Sequence, residues 1–65
     1  NLETADVFRS LTEGRTVRET AQALYPKYKG KKRYERSGLP GFEEQILAVC
    51  LMLEKMGAIN RKGNK

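Results

Sequence analysis

Residues Gly41 to Ile59, GFEEQILAVCLMLEKMGAI, decide the fold. Apolar side chains recur there at the three- and four-residue spacing of an α-helix, and Gly57 follows as a helix stop. We expect a helix from Phe42 to Met56 and then a short strand from Ala58 to Arg61. The sequence Lys62-Gly63-Asn64 is typical of a hairpin turn, with no returning strand in the 65 residues.

Two shorter helices are predicted ahead of this one. The first runs from Leu2 to Glu13 and ends at Gly14, where glycine favours a C-terminal cap. Its apolar stripe is formed by Leu2, Ala5, Val7, Phe8 and Leu11.

The second predicted helix begins with a capping box, in which Thr16 caps the backbone and Glu19 reaches back to it. It is expected to stop before Pro26, because a residue that precedes proline avoids helical backbone. Its buried face is formed by Val17, Thr20, Ala21 and Leu24.

Length and composition indicate one domain with a small core. A chain of 65 residues buries only about 60% of the surface that its unfolded form exposes. Cys50 is the only cysteine and there is no histidine, so a disulfide and the Cys/His zinc spacings are excluded, and no cofactor is expected. A lone thiol within an apolar run predicts a core residue and suits a reducing, cytoplasmic compartment.

No membrane or targeting segment is visible. The longest apolar run, Ile46 to Leu53, is far shorter than the ~18 residues that cross a bilayer. Because the chain begins at Asn1 instead of methionine, we expect it to be a domain of a longer protein.

The net charge of +5 is concentrated in one segment. Residues 27–36 hold six lysines and arginines against one acid, Glu35, and Tyr28 and Tyr34 are interleaved with the cations. With the turn chemistry of Ser37 to Gly41, residues 27–40 are predicted to form a long basic loop. Such a basic balance favours a polyanionic partner, nucleic acid first.

Two segments resemble winged helix-turn-helix domains. TVRETAQAL, from Thr16 to Leu24, is similar to the T-V-x-E-x-A helix that opens the helix-turn-helix in that family. The stretch from Val49 to Ile59 is similar to its ending, V-x-x-x-L-x-x-L-G-x-I, where the recognition helix meets the wing.

The resemblance implies a mainly α fold with a small β wing, in which residues 1–65 form a single domain of three helices. It also implies DNA binding, in replication, plasmid or mobile-element maintenance, or transcription regulation, in the cytoplasm or nucleoid. The connection between helices two and three is about fifteen residues here, whereas a helix-turn-helix has three or four.

The outer face of the third helix is a poor match to DNA. Taking 100° per residue, its core face is formed by Phe42, Ile46, Val49, Leu53 and Met56, with Cys50 and Met52 beside it. The opposite face holds Glu43, Glu44, Leu47, Ala48, Leu51, Glu54 and Lys55. Three acids against one base repel phosphate, so this helix is expected to be structural or to form an interface.

Nucleic-acid contacts are therefore expected from the basic loop, the wing and the start of helix two. Arg15 and Arg18 suit one phosphate near that helix N-terminus. The full set of predicted contacts is Arg15, Arg18, Lys27, Lys29, Lys31, Lys32, Arg33, Arg36, Arg61, Lys62 and Lys65, with Tyr28 and Tyr34.

Two pairs of side chains leave alternatives open. Tyr28 and Tyr34 either stack on bases or pack their rings against the core. Leu47 and Leu51 are either covered by the basic loop or contact another protein, as a homodimer or a part of the parent protein.

Catalysis is not expected, since no histidine, phosphate-binding glycine loop or placed carboxylate pair is present. The first functional hypothesis is binding of duplex DNA. A protein-interaction or dimerisation module is the alternative, and RNA binding is a weaker one; neither a membrane nor a metal is an expected partner.

Overall fold

A computed structural model describes residues 2–59 of the chain, which form three α-helices and a single 3-10 turn. Helix α1 spans Thr4–Thr12, α2 spans Val17–Tyr28, the 3-10 turn spans Lys32–Tyr34, and α3 spans Gly38–Lys55. The predicted three-helix, mainly α fold is confirmed. No strand occurs within residues 2–59, so Ala58 and Ile59 are not part of one. The rest of the predicted wing lies outside the described residues.

The predicted helix stops are confirmed at both glycines. Gly14 has φ 100° and Gly57 has φ 79°, the left-handed backbone that glycine adopts without strain. After α3, the Gly57 N–H donates to Glu54 O at 3.0 Å and the Ala58 N–H donates to Leu53 O at 2.9 Å. This is the Schellman arrangement, and it satisfies two carbonyls that the helix end leaves without partners.

The start of α2 follows the prediction, but its end does not. The Glu19 N–H donates to Thr16 Oγ1 at 3.1 Å and the Thr16 N–H donates to Glu19 Oε1 at 2.9 Å, which completes the capping box. The prediction that Pro26 stops the helix is wrong, because α2 continues to Tyr28. Proline removes only one hydrogen bond near the helix end, and burial of an aromatic ring two residues later contributes about 1.5–3 kcal/mol.

The turn predicted at residues 37–41 is instead the beginning of α3. Pro40 lies in the first helical turn, where a backbone N–H has no intrahelical partner and its loss is tolerated. Gly38 has φ 62° and redirects the chain into the helix. The connection between α2 and α3 is therefore nine residues, 29–37, and the predicted loop of residues 27–40 is shortened at both ends.

The core lies where α1 and α2 pack on one face of α3. Its buried apolar side chains are Val7, Leu11, Ala21, Tyr28, Tyr34, Phe42, Ile46, Cys50 and Leu53. Cys50 is buried as predicted. A buried hydrogen bond of 2.7 Å between Ser10 Oγ and Thr20 Oγ1 joins α1 to α2, so both hydroxyls keep a partner away from water.

Some side chains assigned to the core from periodicity are exposed. Phe8 and Ala5 on α1 face outward, as do Met52 on α3 and Met56 just after it. Periodicity places a residue on a helix but does not tell how wide a face its neighbours cover, and here that face is narrow.

No helix within the part of the chain that the structure describes is long and apolar enough to cross a membrane.

Candidate nucleic-acid interface

Positive charge is segregated on the surface. The basic segment, which we define as residues 27–36, carries six cations and one acid, for a net +5. The other residues between 2 and 59 carry four cations and seven acids, for a net −3. The attraction of this surface for a polyanion therefore comes from the basic segment and not from the helical body.

Phe42 of α3 is the core residue on which the basic segment packs. Its ring is fully buried, and all three tyrosines of the chain pack on it. The ring centroids of Tyr25 and Tyr28 are each 5.6 Å from that of Phe42, and the Tyr34 centroid is 5.0 Å away in an edge-on arrangement. Two of these rings belong to the basic segment, so aromatic packing anchors it at two points.

Backbone hydrogen bonds fold the chain between these two anchors into consecutive turns. The Lys31 N–H donates to Tyr28 O, and the Tyr34 N–H donates to Lys31 O, both at 2.9 Å. The Glu35 N–H then donates to Lys32 O at 3.3 Å. The basic segment is therefore a bonded structure with its tyrosines inward.

Four cations of this segment face solvent, and none of them forms an ion pair within residues 2–59: Lys29, Lys31, Lys32 and Arg36. These four cations lie within eight consecutive residues of the chain and are the candidate phosphate-binding surface. The side chain of Arg33 lies outside the described residues, and so do Arg61, Lys62 and Lys65.

Lys27 differs from the other cations of the segment because it is paired. Its Nζ donates to Asp6 Oδ2 at 2.8 Å, and the same oxygen accepts a 2.7 Å hydrogen bond from the Tyr28 hydroxyl. The backbone N–H of Glu3 donates to the Tyr28 oxygen at 3.3 Å. This cluster ties the end of α2 to the start of α1, and it neutralises the Lys27 charge locally.

The pKa values of the cluster follow from these bonds. The hydrogen bond from Lys27, and then that from Tyr28, lowers the pKa of the Asp6 carboxyl below its ordinary value of 3.8. The bond to Asp6 raises the pKa of the Lys27 ammonium above 10.5. Burial, followed by the bond to Asp6, raises the pKa of the Tyr28 hydroxyl above 10.0.

The phosphate site predicted at the start of α2 is not joined to the basic segment. Arg15 forms an ion pair with Glu13, and Arg18 lies 3.5 Å from a Glu43 oxygen. Eleven residues separate Arg18 from Lys29, which corresponds to about 16 Å of helix. The two arginines therefore face acids at the far end of α2.

The rings of Tyr28 and Tyr34 are not available to bases. Tyr28 is 3% exposed and Tyr34 is 2% exposed, so of the two alternatives the structure shows packing in the core. The Tyr34 hydroxyl is also buried and has no hydrogen-bond partner among the described residues.

The outward face of α3 is uncovered. We define it by six exposed residues, Glu44, Leu47, Ala48, Leu51, Met52 and Lys55. Leu47 is 45% exposed and Leu51 is 55% exposed, so the basic segment does not cover them, which was one of the two alternatives. Sequence reasoning missed Met52 on this face, and the signal that reveals it is the absence of any charge from Gln45 to Leu53.

Comparisons with protein-family models, with curated proteins and with solved structures find no match to this chain.

Proposed function

We propose that this domain binds duplex DNA through the phosphate backbone, with the basic segment as the contact surface. The observation that carries the proposal is the set of four solvent-facing cations, which form no ion pair among the described residues and lie on a segment that two buried tyrosines anchor. Anchoring matters because a preorganised surface loses less conformational entropy on binding than a mobile loop.

Backbone contact is favoured over reading of base edges. The winged helix-turn-helix resemblance would put α3 in the major groove, where Arg, Lys, Asn and Gln read bases. At the centre of the outward face of α3 stand Leu47, Ala48, Leu51 and Met52, which have no such groups. Lysines of the basic segment suit phosphates, and they carry little sequence information.

A duplex is favoured over single strands and RNA loops. Proteins that grip unpaired nucleotides stack the bases on aromatic side chains. The two tyrosines of the basic segment are packed on Phe42 and expose almost none of their surface. RNA binding accordingly remains the weaker alternative.

The winged helix-turn-helix resemblance also implies a wing after α3, of which Ala58 and Ile59 form no strand and residues 60–65 lie outside the described part of the chain. Arg61 and Lys62 would add phosphate contacts there, as the resemblance implies. On the same ground we propose a role in replication, plasmid or mobile-element maintenance, or transcription regulation.

The salt dependence of binding tests the proposal. Anisotropy of a labelled duplex is measured over a salt series for the wild type and for the K29A/K31A/K32A variant. Each phosphate contact contributes a slope of about −0.9 to log affinity against log salt, so we expect weaker binding and a slope shallower by about 2.7. Unlabelled single-stranded DNA and RNA serve as competitors.

A single-charge comparison controls for loss of net charge. Lys31→Ala removes one cation from the basic segment, and Arg9→Ala removes one from the exposed surface of α1. We expect the first to reduce the slope by about 0.9 and the second to leave it nearly unchanged. Equal effects, or a triple variant that binds as the wild type does, would sink the proposal.

A second function is favoured by a separate observation. The outward face of α3 exposes Leu47, Leu51 and Met52 together. Residues 46–53 are all apolar, and a helical segment that is apolar on all sides is usually covered on all sides. We propose that this face is a protein-interaction surface.

A further inference from the structure

The centre of the outward face of α3 is an apolar surface two helical turns long. No charged residue occurs between Glu44 and Lys55 except Glu54. Leu47 and Leu51 are four residues apart, as are Ala48 and Met52, so the four side chains form two adjacent rows. Contiguous apolar surface of this kind marks an interaction site more often than scattered single residues do.

The two ends of this face carry opposite charges. Glu44 and Lys55 are both exposed, and neither forms an ion pair within residues 2–59. They are eleven residues apart, about 16 Å along the axis, and at 100° per residue they lie only about 20° apart around it. One stripe therefore runs from an acid through apolar side chains to a base.

We propose that the occupant of this face is a second copy of the chain, with the two α3 helices antiparallel. The two-fold axis crosses the interface at the height along α3 that lies midway between Val49 and Cys50. This inference rests on the interaction function proposed for the face and not on DNA binding. In this register Glu44 meets Lys55 of the second copy, and by symmetry Lys55 meets its Glu44. Ala48 lies at the same height as Leu51 of the second copy, and Leu47 lies at the same height as Met52 of the second copy.

The pairs are complementary in size as well as in charge. Ala48 leaves room for the larger Leu51, which lets the helices approach to the 8–10 Å of ordinary helix packing. Leu47 and Met52 flank that contact on either side. A two-fold interface requires that one patch complement itself, and this stripe does so only when the helices run in opposite directions.

A parallel arrangement lacks this match. It would place Glu44 against Glu44 and Lys55 against Lys55, so both ends of the interface would hold like charges. The charge order along α3 therefore selects the antiparallel pair.

The interface is short, so association should be weak. One helix pair lies at the small end of specific interfaces, where complexes are transient. Sedimentation equilibrium without nucleic acid, over concentrations that extend to the millimolar range, should show a reversible monomer–dimer equilibrium.

Charge variants test the register. Glu44→Lys puts two bases together at both ends of the homodimer, and Lys55→Glu puts two acids together in the same way. Each single variant should raise the dimer dissociation constant roughly ten-fold. The double variant E44K/K55E should restore it, and a mixture of the two single variants should form a heterodimer with about the wild-type affinity.

The outcomes separate this inference from the function on which it rests. A wild type that stays monomeric to millimolar concentration overturns the second copy as occupant. Self-association that Leu51→Glu abolishes but charge variants leave unchanged overturns the register and keeps the interaction surface. Self-association that Leu51→Glu leaves intact overturns both. Since Leu51 is more than half exposed, this variant should keep the helical circular dichroism of the wild type.

Discussion

At the scale of single residues, the two tyrosines of the basic segment differ in the surroundings of their hydroxyl groups. The Tyr28 hydroxyl donates to Asp6 and accepts from the Glu3 N–H, whereas the Tyr34 hydroxyl is buried without a partner among the described residues. A buried polar group that lacks a partner lowers stability, and a bonded one does not. The hydroxyl group therefore stabilises the fold at Tyr28 and destabilises it at Tyr34.

Opposite effects are expected when each hydroxyl is removed. Tyr34→Phe should raise the free energy of unfolding by about 1 kcal/mol or more, because a desolvated hydroxyl disappears while the ring stays on Phe42. Tyr28→Phe should lower it by about 1–3 kcal/mol, because a hydrogen bond to a carboxylate is lost. Urea unfolding of both variants checks this, and shifts of the same sign would contradict it.

Asp6 should make stability depend on acidic pH. Its pKa is lower in the folded chain than in the unfolded chain, so its contribution is present above the unfolded value of 3.8 and is lost as pH falls through the folded value. We expect the free energy of unfolding to decline below pH 3.8, and Asp6→Asn to flatten that decline. Urea unfolding of the wild type and of Asp6→Asn across acidic pH measures this, and an equally steep decline in the variant would contradict the role of Asp6.

At the scale of elements, the start of α3 depends on close contact between Ser37 and Gly41. Gly38 turns the chain through left-handed backbone, and the side chain of Ser37 then lies against Gly41. A Cβ on Gly41 would overlap both side-chain atoms of Ser37. Glycine is thus required at this helical position, although glycine elsewhere in a helix interior is unfavourable by about 1 kcal/mol.

Alanine substitutions at Gly41 and Gly30 should distinguish the overlap with Ser37 from the general effect of replacing a glycine by alanine. Gly41→Ala is expected to lower stability by about 1–3 kcal/mol through overpacking, despite its better helix propensity. Gly30→Ala is the matched control, because a Cβ there meets nothing within 4 Å and its φ is not positive. In thermal unfolding the control should be neutral or slightly stabilising. Adding Ser37→Gly to Gly41→Ala should recover part of the loss, and no recovery would contradict the contact.

At the scale of the whole molecule, charge and apolar surface are divided between two regions. The basic segment carries +5 against −3 for the rest of residues 2–59, and the largest exposed apolar side chains are concentrated on α3. Two short helices cannot cover the full circumference of an eighteen-residue helix. A second copy on the outward face would remove this surface from water and would bring two basic segments into one assembly, so association would add to stability.

Much of this architecture could be predicted from local sequence. The capping box of α2 and the glycine stops of α1 and α3 depend on residues close together in the chain, and each is confirmed. The placement of Leu47 and Leu51 opposite the core face also follows from one helix's periodicity, whereas their exposure was an open alternative that the structure decided. These features share a cause, since local hydrogen bonds and helix geometry need no knowledge of distant residues.

The sequence by itself determined where α2 begins, where α1 and α3 end, and where positive charge is concentrated. Only the tertiary structure decided that α2 continues past Pro26 and that Tyr28 and Tyr34 face Phe42 and not solvent. It also decided that Lys27 forms an ion pair with Asp6. These outcomes depend on contacts between residues far apart in sequence, such as Asp6 with Tyr28 across 22 positions. Burial energy from such contacts exceeds the local preferences of proline and of basic loops, and no local pattern encodes it.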